Sequence, residues 1–227
     1  VNSTHITLQA NEIWGALHGL QTLLQLSKFE LNKFVIPHVV INDEPRFKWR
    51  GLMVDSVRHF MPIALIKRQI EAMAAAKLNV FHWHLTDDQG WRIPIDGYEK
   101  LHLTASDGLY YSHEEIIDLV SYAAAFGIRV IPEVDLPGHA SAIAVAYPNL
   151  ITEKRSYPMQ RQWGVFEPVL DVSDAAVDQF SEAIVQQLVK LFPDDYVHIG
   201  GDEVNPKQWL GSKDVSAVML KHNLKDA

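Results

Sequence analysis

The sequence contains no cysteine among its 227 residues. Neither a disulfide framework nor a catalytic thiolate is therefore available, and the redox compartment is left open. Long apolar runs are also missing, so no membrane-spanning helix is predicted. Basic residues are in the minority, 20 against 28 acidic residues, and the two signs are interspersed. This balance argues against a nucleic-acid partner and against binding to an anionic membrane surface.

From residue 51 onward, short β-rich runs alternate with longer stretches of helical periodicity. Ser112 with Glu115 has the form of a capping box, and Ser173 is the predicted N-cap of a later helix. Strands are predicted at 51–57, 78–86, 128–135 and 196–203, and helices at 63–77, 114–126, 174–191 and 215–222. The predicted elements therefore follow one another along the chain as four βα units.

Apolar strands between amphipathic helices are typical of a parallel sheet covered on both faces. A doubly wound sheet and a (β/α)₈ TIM barrel both fit this description. No glycine-rich phosphate-binding motif follows any predicted strand, which counts against the usual nucleotide-binding versions of the doubly wound fold. The connections after the second and third strands, 87–111 and 136–172, are long. This indicates that the functional residues lie on the face of the fold where strands lead into helices. We therefore favour the barrel.

Residues 1–45 follow a different pattern. A helix is predicted at 12–26, between strand-like segments at 6–8 and 35–41. Pro45 and the basic-aromatic run at 46–50 mark the change of unit.

Ionisable residues follow the carboxyl end of each predicted strand. In a parallel barrel these ends meet at one mouth, where such folds carry their active sites. The residues are Asp55, Arg58 and His59, then His82, His84, Asp87 and Asp88, then Glu133, Asp135 and His139, and finally His198, Asp202 and Glu203. Structural roles compete with this interpretation, because an aspartate after a strand is often an N-cap and strand histidines are often core residues. The same choice, core or sugar-stacking platform, applies to Trp83, Trp91 and Trp163.

The adjacent carboxylates Asp202 and Glu203 follow two glycines. Neighbouring strand residues point to opposite faces, so this pair does not easily flank one glycosidic bond as the two carboxylates of a conventional glycosidase do. The pair therefore predicts two different roles, with Glu203 as a general acid in an apolar setting and Asp202 as a charged partner. Acids and histidines without a cysteine or a serine elbow indicate acid–base hydrolysis.

Five extended motifs stand in a specific order and spacing. They are RGLMVDSVRHF (50–60), LNVFHWHLTDDQGWR (78–92), IRVIPEVDLPGHA (128–140), WGVFEPVLDVS (163–173) and YVHIGGDEV (196–204). In these motifs the chain resembles the family 20 glycoside hydrolases, the β-N-acetylhexosaminidases. The resemblance implies that 1–45 is the C-terminal part of a small α+β domain and that 46–227 is the N-terminal half of a catalytic barrel.

The resemblance also implies an activity: hydrolysis of terminal non-reducing β-linked N-acetylhexosamine residues by a retaining, substrate-assisted mechanism. The substrates would be N-acetylglucosamine- or N-acetylgalactosamine-terminated glycans or chitooligosaccharides, with no metal or other cofactor. Glu203 would be the acid and base, and Asp202 would orient the acetamido group. Arg50 would hold sugar hydroxyls, while three further residues would bind or support the pocket: Asp87, Asp135 and His139.

Half a barrel leaves two strand edges and an apolar face open, so we expect the isolated chain to self-associate and to have little or no activity. By resemblance, its setting would be secreted, periplasmic or lysosomal. Two other functions stay open at this point. One is a metal-dependent barrel hydrolase using His82, His84, His139 and Asp202, a ligand set that would suit zinc. The other is a non-catalytic carbohydrate-binding half-barrel.

Overall fold

The computed structural model of the protein describes residues 1–226. Its helices are α1 (Ile13–Leu26), α2 (Ile63–Ala75), α3 (Lys100–Thr104), α4 (His113–Ala125), α5 (Ser141–Ala146), α6 (Ala175–Leu191), α7 (Lys207–Gly211) and α8 (Lys213–Lys221), with a 3₁₀ turn at Pro148–Leu150. Its strands are β1 (Lys28–Glu30), β2 (Lys33–Val35), β3 (Gly51–Asp55), β4 (Val80–Asp87), β5 (Gly90–Trp91) and β6 (Arg129–Val134). No helix in this part of the chain is both long and apolar enough to cross a membrane.

The central sheet is built on β4, which pairs in parallel with β3 on one side and with β6 on the other. The short strand β5 pairs antiparallel with the end of β4. Phe81, Trp83 and Leu85 of β4 are fully buried, which explains why this strand is a near-continuous apolar run. The mixed α/β fold with a parallel sheet agrees with the prediction.

Helices α2 and α4 form according to their apolar spacing. Each buries three residues on one stripe, and α4 begins with the predicted capping box. Ser112 accepts from the Glu115 N–H at 3.2 Å, and the Ser112 N–H donates to Glu115 Oε2 at 2.9 Å. The predicted cap of α6 was wrong by one residue. Asp174 is the N-cap of this helix, because its carboxylate accepts from the Ala176 N–H at 3.0 Å.

The predicted fourth strand at 196–203 is reduced to one parallel bridge between Glu133 and His198. Backbone hydrogen bonds of 2.9–3.0 Å tie the segment to the end of β6. Gly200 and Gly201 then have φ of +64° and +88°, which no regular strand contains. The prediction of a full strand was therefore wrong, because the extended backbone ends where the two glycines turn.

In the N-terminal segment, α1 agrees with the predicted helix, but segment 6–8 is not a strand, and of segment 35–41 only Val35 lies in one, as the last residue of β2. The residues that do pair are β1 and β2, a hairpin whose loop residues Leu31 and Asn32 have φ of +49° and +62°. Positive φ at both loop positions is what a type I′ turn requires. Segment 6–8 makes no strand because no neighbouring strand pairs with it among the described residues.

Candidate active site

The sheet order β3, β4, β6 and then segment 196–203 brings four groups of polar side chains to the same edge. We call Arg58, Asp87, His139 and Glu203, one from each group, the carboxyl-end row. Arg58 follows β3, Asp87 ends β4, His139 follows β6 and Glu203 follows the bridge at His198.

Asp87 is the central residue of the carboxyl-end row. It is buried and contacts three cationic partners: His84 Nε2 at 3.0 Å, His139 Nδ1 at 3.1 Å and an Arg58 guanidinium nitrogen at 2.5 Å. Burial opposes ionisation, but the hydrogen bonds from His139 and His84 outweigh it and hold the pKa of Asp87 well below its usual range. Asp87 is therefore a carboxylate across the whole physiological range.

His139 lies between the buried Asp87 and the exposed carboxylates of Asp202 and Glu203. Its Nδ1 lies 3.1 Å from both Asp87 Oδ1 and Asp88 Oδ2, and these hydrogen bonds raise the pKa of His139 to about 10. The ring is thus an imidazolium at neutral pH. Its other nitrogen, Nε2, lies 3.8 Å from Asp202 Oδ2 and 3.7 Å from Glu203 Oε2. One cation therefore faces both adjacent carboxylates.

The backbone explains how two neighbouring residues reach one partner. Glu203 has φ of +50°, in the left-handed region, so the alternation of side chains along a strand does not apply to it. The side chains of Asp202 and Glu203 are 64% and 58% exposed. The apolar setting expected for Glu203 is therefore not provided by the described residues.

Gly200 is required by close approach as well as by its backbone angle. A Cβ at this position would lie 2.0 Å from Asp135 Oδ1, and φ is +64°. Asp135 is buried beneath it, and burial raises the pKa of this carboxyl to about 8. Its N–H donates to Thr86 Oγ1 at 3.0 Å, while Oδ1 has no hydrogen-bond partner among the described residues.

Arg50 is not brought to the carboxyl-end row. It precedes β3, and its guanidinium donates to Lys77 O at 2.8 Å and to Phe47 O at 2.7 Å. Arg50 O accepts from the N–H of Val80, the first residue of β4, whereas Asp87 is the last residue of the same strand. The length of the strand therefore places the Arg50 backbone about 23 Å from Asp87. The expectation that Arg50 holds sugar hydroxyls has no support in this placement.

Arg58 is the arginine that the structure places at the site; from the sequence it was one of the ionisable residues after the first strand, and the sugar-binding role was assigned to Arg50 instead. Besides Asp87, it donates to Asp55 Oδ2 at 3.0 Å and to Gln89 Oε1 at 2.9 Å. The signal was present in the sequence, because Arg58 follows the carboxyl end of its strand whereas Arg50 precedes the amino end. The rule that sites lie at carboxyl ends favours Arg58.

A second charged group, centred on Glu133, lies deeper in the sheet. Its carboxylate is 2.5 Å from His82 Nε2, 3.0 Å from His84 Nδ1 and 3.0 Å from His198 Nδ1. Burial opposes ionisation, but hydrogen bonds from His82 and His84 lower the pKa of Glu133. The same arrangement raises the pKa of His84 to about 10, against its burial, through Asp87 and Glu133.

Several groups of side chains at the site could hold a metal ion. The described residues contain groups whose ligand atoms lie within 4.8 Å of one another, namely His82–Glu133–His198, His84–Glu133–Asp135, Asp87–Asp135–His139 and His139–Asp202–Glu203. The zinc set considered from the sequence is split among these groups. His82 and His84 both face Glu133, whereas His139 and Asp202 belong to the mouth.

Comparisons with known proteins identify the family of this chain. The sequence profile described as "Glycosyl hydrolase family 20, catalytic domain" matches residues 47–227. The chain belongs to glycosyl hydrolase family 20. The resemblance seen in the five motifs is thereby confirmed, and the relatives of this chain are glycosidases.

Among curated family 20 members, the beta-hexosaminidase of Vibrio furnissii is 37% identical and aligns with 100% of this chain but 40% of its own length. That of Porphyromonas gingivalis is 40% identical over 93% of this chain and 29% of its own length. The chain thus spans well under half of these relatives.

Solved family 20 structures show the same partial coverage. The Flavobacterium johnsoniae chitobiase is 49% identical, with a TM-score of 0.90 over 93% of this chain and 32% of the chitobiase. An exo β-N-acetylglucosaminidase from Vibrio harveyi, in complex with N-acetylglucosamine, is 33% identical, with a TM-score of 0.77 over 93% of this chain and 36% of its own.

Proposed function

We propose that this chain is part of a β-N-acetylhexosaminidase that removes terminal non-reducing β-linked N-acetylhexosamine. The proposal is carried by one observation: Asp202 and Glu203 both lie within 4 Å of the imidazolium nitrogen of His139. The family assignment and the names of the relatives support the same substrate class. N-Acetylglucosamine- or N-acetylgalactosamine-terminated glycans or chitooligosaccharides are its substrates.

In the proposed mechanism, the 2-acetamido carbonyl oxygen of the substrate attacks the anomeric carbon. The bond to the leaving oxygen breaks, and Glu203 transfers its proton to that oxygen. The resulting oxazolinium ion is opened by water, from which Glu203 takes a proton, and two inversions give net retention. Asp202 accepts the acetamido N–H and stabilises the positive charge that develops on the ring.

The remaining roles follow from the contacts. His139, held as a cation by Asp87 and Asp88, donates from Nε2 toward whichever of Asp202 and Glu203 carries charge. Arg58, rather than Arg50, offers its planar donors to sugar hydroxyls, because it lies in the carboxyl-end row.

We also infer that residues 46–227 are the first half of a (β/α)₈ barrel and that 1–45 is the end of an α+β domain. The chain alone then has weak activity or none, because Glu203 is open to water where a barrel would enclose it. Open strand edges favour pairing with a second copy.

The test is hydrolysis of an aryl N-acetyl-β-glucosaminide by an active form of the protein. Glu203→Gln should lower kcat by about 10²–10⁴-fold, since the proton donor is lost. Glu30→Gln, in the exposed β1–β2 hairpin, is the matched control and should not change kcat. An aryl β-glucoside with a hydroxyl in place of the acetamido group should not be cleaved. Full activity of the Glu203 variant would contradict the proposal, and sugar binding without cleavage by any form would favour a non-catalytic module.

A further inference from the structure

Trp163 is an exposed aromatic residue at the edge of the site. Of the three tryptophans considered as core residues or sugar platforms, Trp83 and Trp91 are buried in the core, whereas Trp163 is 77% exposed. It lies in the long connection between the 3₁₀ turn and α6. A lone exposed tryptophan needs no explanation by itself, so its position and support decide the matter.

The position of Trp163 is fixed by two residues of the site. The Arg58 guanidinium carbon lies over the indole ring, 5.2 Å from its centroid. The neighbouring carbonyl of Gln162 accepts from Gln89 Nε2 at 2.7 Å, and Gln89 Oε1 accepts from Arg58. Trp163 therefore stands at the β3 end of the carboxyl-end row, and Glu203 stands at the other end.

The loop that carries Trp163 is tied down at several points. Arg161 Nη2 donates to Asp107 Oδ1 at 2.8 Å. Ile151 and Leu170 form an antiparallel bridge at the base of the loop. Because the loop is already ordered, little conformational entropy remains to be lost when a ligand meets the indole.

The chemistry of the exposed ring selects a ligand class. The guanidinium lies over one face of the indole, and the tryptophan as a whole is 77% exposed, so most of its surface is available to a ligand. A pyranose presents axial C–H groups on one face and hydroxyls around its edge. An aromatic face next to a planar five-donor cation matches both parts of such a ring.

We propose that Trp163 is a binding residue that stacks on the pyranose ring of the terminal N-acetylhexosamine, at the end of the carboxyl-end row farthest from Glu203. This inference rests on the proposed function for the identity of the sugar. It assigns to this chain an aromatic contact with the end of the ring away from the bond that is cleaved.

The test is titration of the chain with N-acetylglucosamine, followed by calorimetry and by saturation-transfer NMR. Trp163→Ala should weaken binding roughly threefold to tenfold and remove transfer to the ring C–H protons, whereas Trp163→Phe should retain most of both. Trp49→Ala is the control: this half-exposed tryptophan precedes β3, at the opposite end of the strands, and the substitution should change neither readout. Equal binding and equal transfer in Trp163→Ala would overturn the inference.

Hydrolysis of the aryl N-acetyl-β-glucosaminide by an active form of the protein, measured in parallel, separates the two proposals. Trp163-dependent binding by the chain would support the stacking role whether or not the chain alone cleaves, since little or no activity is expected of it. Hydrolysis by the active form with an unchanged KM in Trp163→Ala would contradict the stacking role alone. Trp163-dependent binding together with full activity of Glu203→Gln in the active form would contradict the hydrolase mechanism alone. No sugar binding by the chain together with full activity of Glu203→Gln would contradict both.

Discussion

Gly200 and Asp135 approach so closely that a side chain on the glycine would place its Cβ 2.0 Å from Asp135 Oδ1. The backbone of Gly200 is also in the left-handed region. We expect Gly200→Ala to lower the free energy of unfolding by about 1–2 kcal/mol from the backbone angle alone, with the steric clash added. The amides of Val134 and Leu136, which donate to residues 198 and 199, should exchange faster.

Gly211→Ala is the matched control for that substitution. A Cβ there meets no atom within 4 Å, and no positive φ is required. Urea unfolding and amide exchange of this variant should equal those of the unchanged chain or show slightly higher stability. Equal stability of both alanine variants would show that Gly200 is not constrained.

Stability should fall as the solution becomes alkaline. The folded-state pKa values of His84 and His139 are raised to about 10 from 6.5. The stability that their protonated forms give to the fold is therefore complete below pH 6.5 and is lost as pH rises toward 10. The pKa of Asp135 is raised from 3.8 to about 8, so ionisation of this carboxyl destabilises the folded state progressively as pH rises from 3.8 to 8. Below pH 8 this effect adds to the loss of stability from the two histidines. Urea midpoints measured from pH 6.5 to 10 should therefore decline.

His139→Gln should make that decline shallower, because one of the two raised imidazole pKa values is removed. The exposed His38→Gln is the control and should leave the slope unchanged. A midpoint independent of pH in the unchanged chain would show that the imidazolium ions do not stabilise the fold.

The two arginines make opposite predictions for sugar binding. Arg58→Ala should weaken binding of N-acetylglucosamine by about tenfold or more, since a charged donor pair is worth about 1.5–3 kcal/mol. Arg50→Ala should leave this affinity unchanged and instead lower stability, because its hydrogen bonds to Lys77 O and Phe47 O are lost. Calorimetric titration of both variants checks the assignment, and the reverse result would restore Arg50 as the sugar ligand.

Self-association should be detectable by sedimentation velocity. Leu52 and Met53 of β3 and Ile199 beside the terminal bridge are exposed apolar residues at the two edges of the sheet. We expect dimers or larger species at micromolar concentration, and fewer of them in Met53→Lys, because a charge on an edge strand opposes pairing. Val189→Lys, an equally apolar exposed position on α6, is the control. A compact monomer at all concentrations would contradict the expectation.

The parts of the fold that the sequence predicted are those decided by local spacing. Ile66, Ile70 and Met73 recur at helical intervals, and they are the residues that α2 buries. Ser112 and Glu115 cap α4 by contacts within one turn, so four residues of sequence contain the whole signal.

The predictions that failed depended on partners distant in the sequence. Segments 6–8 and 35–41 have strand-like composition, but a strand forms only where another strand pairs with it. The extended backbone of the fourth segment ends where Gly200 and Gly201 turn, and Asp135, 65 residues before Gly200, leaves no room for a Cβ at that turn. Arg50 and Arg58 occur in one motif, and only the direction of β3 separates them. The carboxylates at the mouth were found because parallel strands bring their ends together.

Hydrogen-bonding groups form an unbroken line from Glu133 through His84 and Asp87 to His139, which faces Glu203. Three of these groups sit below the surface that a sugar would touch. In the proposed hydrolase, we therefore expect changes at Glu133 or His84 to shift the pH of optimal activity without altering any atom that would contact the sugar.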